Sequence, residues 1–232
     1  MTNICMIARN RPNLTQQAVQ SLYDHTDPST CTLTVLDDGT SSENLCAMYP
    51  FSGKWTQREV LIHIHPSKGI VGLARNLAIR ASETYWGRGD FLCMLDNDVY
   101  LCDGWLEKIT RALAWAEHWG YRILGGQRHP FHQIAEVNQE QGITVQKVDA
   151  VAGYSMLMRW ETWDKYGPFP DNQPGVCCSE DWAVCQRITK ELYYKVGYIH
   201  PPVLYHCGIT NTLGQPAVGS EAFERVPGVL YE

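Results

Sequence analysis

No apolar run in the chain approaches the roughly 18 residues of a membrane-spanning helix. No hydrophobic leader opens it either, since polar and charged residues interrupt the chain by Arg9. A signal peptide and a transmembrane segment are therefore not expected, and the expected location is cytoplasmic. Runs of Lys or Arg are missing too, and the formal net charge is −6. Binding along a nucleic-acid backbone needs a basic surface, so nucleic acid is not indicated as a partner. Cys-x-x-Cys does not occur, although there are nine cysteines. Cys177 and Cys178 are adjacent, which suits neither a zinc knuckle nor an easy bridge. An odd cysteine count without an export signal points to free thiols in a reducing compartment. Repeats and low-complexity segments are absent. What is present is 44% hydrophobic and 19% charged residues in 232. That excludes global disorder and suffices for one α/β domain or two tightly fused subdomains.

The first hundred residues read strand–helix, strand–helix, strand–helix, strand. Asn3–Ala8, Thr32–Leu36, Val60–His65 and Phe91–Leu95 are the expected strands. Leu14, Ala18 and Leu22 stripe a first helix, with Pro12 in its first turn. Ser41 and Ser42 are candidate caps of a second helix, and Leu73, Leu77, Ala81 and Tyr85 stripe a long third one. Crossovers of this length join parallel strands and cover the sheet with helices. The second half adds a helix capped by Asp103 that buries Trp105, Ile109, Ala112 and Ala116. Strands are expected over Ile123–Gly126, Val148–Met158 and Lys195–Ile199, with a helix from Ser179 through Leu192. The expected division is a first half (1–100), a second half (101–208) on the same sheet, and an irregular tail or lid (209–232).

Open α/β sheets bind ligands beyond the carboxyl ends of their strands. Asp37, Asp38, Asp96 and Asp98 all fall there. Asp96 and Asp98 are two apart, and an extended segment points such side chains at one place. Two hard oxygen ligands suit Mg²⁺ or Mn²⁺ carrying a diphosphate, although an acidic turn explains the same residues. Asp37-Asp38-Gly39 is either a tight turn or a carboxylate that accepts a nucleobase or ribose proton. Lys68, Gly69 and Arg75 stand at a helix start that suits nucleotide contacts, or form an exposed basic face. Ser179-Glu180-Asp181-Trp182 opens a helix with acids in its first turn, and the same carboxylates are candidates for a general base. His206 is either packed or a third metal ligand beside Asp98. His63 and His65 share a strand face, and they, with His129 and His132, are read as structural or loop residues. Trp160, Trp163, Trp182 and Tyr154 are core, or a platform for a sugar ring.

In their order and spacing these pieces resemble glycosyltransferase family 2, built on the nucleotide-sugar-binding GT-A fold. They are Ala8-Arg9-Asn10-Arg11, Val35-Leu36-Asp37-Asp38-Gly39-Thr40, Gly72-Leu73-Ala74-Arg75-Asn76 and Met94-Leu95-Asp96-Asn97-Asp98. Arg159–Phe169, Ser179-Glu180-Asp181-Trp182 and Val203-Leu204-Tyr205-His206 follow. The resemblance implies a mostly parallel Rossmann-like sheet and a metal-dependent, inverting transfer of a single sugar from a nucleotide sugar, UDP preferred by family habit. It implies nucleotide-sugar binding for the first half (1–100) and acceptor binding for the second (101–208). Asp38, with Asp37 as competitor, is expected at the nucleobase and Asp96 at the ribose. Asp98, His206 and Asp96 are assigned to Mn²⁺ or Mg²⁺, and Asp181 is the general base. Ala8, Arg9, Arg75 and Asn97 complete the donor set; Glu180, Trp182 and Tyr154 are assigned to a glycan or other hydroxyl acceptor. Arg159-Trp160 precedes the Glu-Asp pair and lacks the Gln of the processive synthases' Gln-x-x-Arg-Trp motif, which favours single transfer. The alternatives are a sugar-1-phosphate nucleotidyltransferase, which usually carries a glycine-rich loop where Ala8–Pro12 stands, and a non-catalytic nucleotide-sugar-binding protein.

Overall fold

The first strand is buried along nearly its whole length, as a parallel strand covered on both faces must be. The computed structural model describes residues 1–41, 43–44, 58–64, 66–67, 69–140, 142–171, 180–208, 225, 227 and 229–231. Its strands are β1 (Thr2–Ala8), β2 (Cys31–Asp37), β3 (Glu59–His63), β4 (Phe91–Asp96), β5 (Val99–Leu101), β6 (Tyr121–Gly125), β7 (Glu136–Glu140), β8 (Ile143–Val148), β9 (Ser155–Arg159), β10 (Lys195–His200) and β11 (Leu204–His206). Its helices are α1 (Pro12–His25), α2 (Val71–Trp86), α3 (Trp105–Ala116), α4 (Trp160–Tyr166) and α5 (Glu180–Thr189).

Nine strands form one sheet in the order β3-β2-β1-β4-β9-β6-β10-β8-β7, while β5 and β11 pair separately. β8 and β9 run against the other seven, so the sheet is mostly parallel. Side chains alternate across it with period two. Ile4, Met6, Cys93 and Leu95 pack with α1 and α3 on one face. Cys5, Leu92 and Met94 pack with α2, α4 and α5 on the other. The expected strands of the first half, the first helix and the buried stripe of α3 are all observed.

Four expectations change. The buried side of α2 is not Leu73, Leu77, Ala81 and Tyr85, since Tyr85 is exposed. It is Gly72, Ala74, Arg75, Asn76, Ala78, Ile79 and Ser82. Three of those are polar: Arg75 and Asn76 bond distant elements, whereas the buried Ser82 hydroxyl has no hydrogen-bond partner. Asp103 does not cap α3: the cap position is Gly104 in a left-handed conformation. Val148–Met158 is not one strand, because β8 ends at Val148 and β9 starts at Ser155, with the site loop between them. The last large helix stops at Thr189 rather than Leu192, which is exposed.

Ser42, His65, Lys68, Ser179 and most of the 209–232 tail lie outside the described residues. Near the chain end, Leu230 exchanges two hydrogen bonds with Gln17 of α1. Among the described residues Cys5, Cys31, Cys93, Cys102, Cys185 and Cys207 are free thiols. Burial pushes Cys5 and Cys31 up to about 12, so neither is a ready nucleophile. No described helix is long and apolar enough to cross a membrane.

Candidate active site

Parallel register brings three strand ends level. Ala8 pairs with Asp37 and Ile7 with Asp96, so the acidic residues of β2 and β4 flank the end of β1. The two aspartates of the β2 turn divide the work. Asp37 is fully buried and holds the turn: Oδ1 accepts the Thr40 N–H (2.9 Å) and lies 2.8 Å from His63 Nδ1, and Oδ2 accepts the Thr40 hydroxyl. Asp38 is anchored by its backbone N–H to Ala8 O (2.8 Å), and its Oδ2 accepts the Ser67 hydroxyl (2.9 Å). Asp37 is therefore a structural residue of the turn and Asp38 the one beside the loop after β3. Gly39 has a φ of +77°, and a Cβ there would meet Ser67 at 2.6 Å, so only glycine suits this turn. Arg9, which follows β1, has a buried Nε with no hydrogen-bond partner.

The chain leaves extended geometry at Asn97, and the Asp96 and Asp98 carboxylates take different hydrogen-bond partners, although Asp98 and His206 both act on Asp96. Asp96 Oδ1 accepts Arg75 Nη2 at 2.9 Å. Asn97 faces inward, donating to Thr15 Oγ1 (2.6 Å) at the start of α1. Asp98 Oδ2 accepts Arg11 Nη1 (2.7 Å), and Oδ1 lies 3.4 Å from His206 Nε2. The β5–β11 pair accounts for that approach. Val99 lies opposite His206, and the Cys207 N–H donates to Asp98 O at 2.7 Å. Gly208 packs so tightly that a Cβ would stand 2.2 Å from Asp98 Oδ2.

Burial, with Asp98 and Glu180 adding to it, pushes the Asp96 carboxyl up to about 6 against the pull of Arg75 and His206. Burial works on Asp98 the same way, but His206 and Arg11 outweigh it and hold that carboxyl below its ordinary range. For His206, burial opposes charge and Asp98 prevails, so its pKa is raised.

Asp181 comes to this site from α5. Its Oδ2 accepts the Gly153 N–H (2.7 Å), and its Oδ1 accepts the Trp182 N–H (2.7 Å). Arg75, only 2% exposed, donates Nη1 to Gly153 O at 2.7 Å, so one side chain spans Asp96 and the glycine that holds Asp181. Its Nε stands 3.5 Å from Glu180 Oε1. Tyr154, next along, has Asp181, Asp96 and Asp98 all acting on its hydroxyl. That hydroxyl donates to Gln127 O (2.8 Å), and the ring lies 4.6 Å from the His206 ring. Tyr154 and Glu180 are buried, as is Trp160, whereas Trp182 is 42% exposed.

Several site residues were not expected from the sequence. Arg11 reaches Asp98 from a left-handed backbone position, a conformation its neighbour Asn10 shares, both with φ 54°. Such strain in non-glycine residues concentrates at functional sites. Gln127 accepts the His206 N–H (2.7 Å), and Gly153 is the junction described above. His129, read as a loop residue, is pushed down to about 4 by burial, with His132 and His206 adding to it. No sequence signal marks Gly153 or Gln127. The Arg11 signal is its place in the loop after β1, at the carboxyl edge of the sheet.

The donor set fits a hard divalent cation in part. A buried carboxylate oxygen of Asp98 accepts no hydrogen bond and faces an imidazole nitrogen 3.4 Å away. Among the described residues no three His, Cys, Asp or Glu side chains gather closely enough to hold an ion. Asp96, expected as the third ligand, is turned to Arg75. Mg²⁺ and its analogues commonly take one or two protein ligands and fill the rest from substrate phosphates and water, so a two-residue site suits them.

A mostly parallel sheet with acids at the ends of β2 and β4 and a carboxylate brought to them by α5 has the arrangement of a GT-A glycosyltransferase. Comparison bears this out: the model of glycosyl transferase family 2 matches residues 3–151, and the chain belongs to that family. Among solved structures, S. aureus TarS 1-349 is similar with a TM-score of 0.63 at 15% identity, covering 88% of this chain and 59% of that one. The same fragment in complex with UDP-GlcNAc gives 0.63 at 14% identity, over 88% of this chain and 57% of that one. GalNAc-T7 with UDP, GalNAc and Mn²⁺ gives 0.67 at 11% identity, over 89% of this chain and 43% of that one. The chain thus spans under two thirds of the length of these structures, and identities this low speak for the fold. No match was found among curated proteins.

Proposed function

We propose that the chain transfers a single sugar from a nucleotide sugar, a UDP-sugar by preference, to a hydroxyl acceptor, with inversion at the anomeric carbon. One observation carries the reading: Arg75 bonds both Asp96 and the Gly153 carbonyl, and the N–H of the same glycine bonds Asp181. The acids of the β4 end and the carboxylate of α5 thereby belong to a single site.

In this reading the nucleoside lies over the ends of β1, β2 and β4. Asp38 meets the base and Asp96 the ribose, while Ala8 and the unpartnered Arg9 Nε line the donor. Asp98 and His206 would hold Mn²⁺ or Mg²⁺, which when bound offsets charge on the leaving diphosphate. Arg11, already on Asp98 Oδ2, adds a second positive group on that side. Asp181 accepts the acceptor hydroxyl proton as that oxygen attacks. Both of its oxygens already accept a backbone N–H, which fixes its plane and leaves lone pairs for the proton. The exposed Trp182 offers a face to the acceptor, and the buried Tyr154 and Glu180 support the site from below. The complexes of the structural neighbours with UDP-GlcNAc, UDP and Mn²⁺ support this choice of donor and metal.

The test is thermal unfolding with a panel of nucleotide sugars plus Mn²⁺, followed by donor consumption with and without acceptor. A donor that binds the folded state raises apparent stability by mass action. If no nucleotide sugar shifts the transition or is consumed, the reading fails. Synthesis of a nucleotide sugar from a sugar phosphate would point instead to a nucleotidyltransferase.

A further inference from the structure

The Gly153 backbone is held on both sides of its Cα. Its carbonyl oxygen, in the peptide with Tyr154, accepts Arg75 Nη1 at 2.7 Å, and its N–H, in the peptide with Ala152, donates to Asp181 Oδ2 at 2.7 Å. The second guanidinium nitrogen, Nη2, donates to Asp96 Oδ1 at 2.9 Å. Three hydrogen bonds, joined through the Gly153 residue, therefore link the strand end of the donor side to the first turn of α5. We propose that Arg75 is a positioning residue: acting through the Gly153 backbone, it holds the Asp181 carboxylate in register with Asp96. The inference rests on the reading of Asp181 as general base.

A mere tether between helix and sheet does not need a buried charge. The neighbouring core positions of α2 are Ala74, Ala78 and Ile79, and these pack without one. Burying a guanidinium is costly unless carboxylates and acceptors meet it. Here Asp96, Glu180 and Asp181 raise the Arg75 pKa against its own burial. The fork geometry explains the residue type. Arg presents donors at fixed angles to two acceptors in different directions, which the single ammonium of Lys does not. Gly153 has a matching reason: a Cβ there would stand 2.5 Å from Arg75 Nη2 and 3.4 Å from Asp181 Oδ2. Side-chain bulk at 153 therefore pushes the guanidinium away from Asp96. The flanking residues are also engaged, since the Ala152 N–H donates to Tyr198 OH at 2.6 Å and Tyr154 OH to Gln127 O, while Arg75 Nε makes an ion-pair contact with Glu180 without a hydrogen bond. The segment has little freedom to reset Asp181 by another route.

Two variants disturb the relay from opposite ends, Arg75→Lys and Gly153→Ala. Both are expected to weaken UDP binding with Mn²⁺ by no more than about tenfold, because the change reaches Asp96 at the ribose but leaves Asp38 and Asp98 alone. Both are expected to lose about 100-fold in kcat, the scale of a misplaced catalytic group, with acceptor KM little changed. Combined with Asp181→Asn, either should add almost nothing, since the relay acts only through that carboxylate. Weakened UDP binding with kcat intact would make Arg75 a donor contact and overturn the proposal, as would losses that add to that of Asp181→Asn. Crystal structures of the two variants give a readout independent of turnover. The Asp181–Gly153 hydrogen bond should lengthen or break; if it stays at the parent length with Arg75 displaced, there is no relay. Parent protein that consumes no nucleotide sugar would remove the transferase reading alone, and the structures would still decide the relay.

Discussion

Asp98 Oδ1 and His206 Nε2 face each other across 3.4 Å, and the carboxylate oxygen, though buried, accepts no hydrogen bond. Nothing in the sequence spacing requires this, because 108 residues separate the two and only the β5–β11 pairing brings them together. Under the proposed function the pair would supply half of a cation site whose other half arrives with the donor.

The first prediction follows from that pair. EDTA should stop transfer and Mn²⁺ should restore it. His206→Ala should raise the Mn²⁺ concentration for half-maximal rate about tenfold or more, about 1.4 kcal/mol or greater. Gly208→Ala should act similarly, because its Cβ would meet Asp98 Oδ2 at 2.2 Å. Full activity in EDTA would remove the metal from the reading.

Asp181→Asn keeps the shape of the side chain and removes the proton acceptor. We expect kcat to fall by about 10²–10⁴, with calorimetric UDP binding retained. Loss of UDP binding in step with activity would count against a base role.

Asp37 and Asp38 should separate cleanly. Asp37→Ala strands the Thr40 N–H and the His63 ring, which costs about 1–3 kcal/mol. In a chain of this size that is about 2–4 °C of melting temperature per kcal/mol. Asp38→Ala should leave melting closer to the parent and weaken donor binding. Equal melting losses with equal donor affinity would show that both serve only the turn.

His129 gives a prediction in pH. Its pKa falls from 6.5 to about 4 on folding, through burial first and then His132 and His206. The fold favours the neutral ring, so between those values the unfolded chain binds more protons and stability rises with pH. The stability His129 contributes is present above pH 6.5 and is lost as pH falls toward 4. Urea unfolding of the parent and His129→Gln should diverge across that window, and parallel curves would show a solvated ring.

The first half of the fold was legible from residue order alone. Ile4, Met6, Leu33, Leu92 and Leu95 mark strands, and Leu14, Ala18 and Leu22 a helix, because periodicity is local and each apolar run needs a covered face. The acids at the strand ends were legible for the same reason, since a parallel sheet delivers its carboxyl ends to one edge. Family membership, the GT-A architecture and the candidate set around Asp38, Asp98, Asp181 and His206 were all within reach of the sequence. The sequence left open what depends on partners far along the chain. Arg75 reads as a donor contact or an exposed base until Asp96, Gly153 and Glu180 surround it, and Asp96, assigned to ribose and metal, has Arg75 as a partner that no spacing announces. Gly153 and Gln127 carry no local signal, and Arg11 only its place in the loop after β1, because their roles are hydrogen bonds and close approaches across separations of 28, 79 and 87 residues. Local pattern sets which face of each element is apolar; only the packed sheet sets which polar groups meet, and at this site those meetings carry the chemistry.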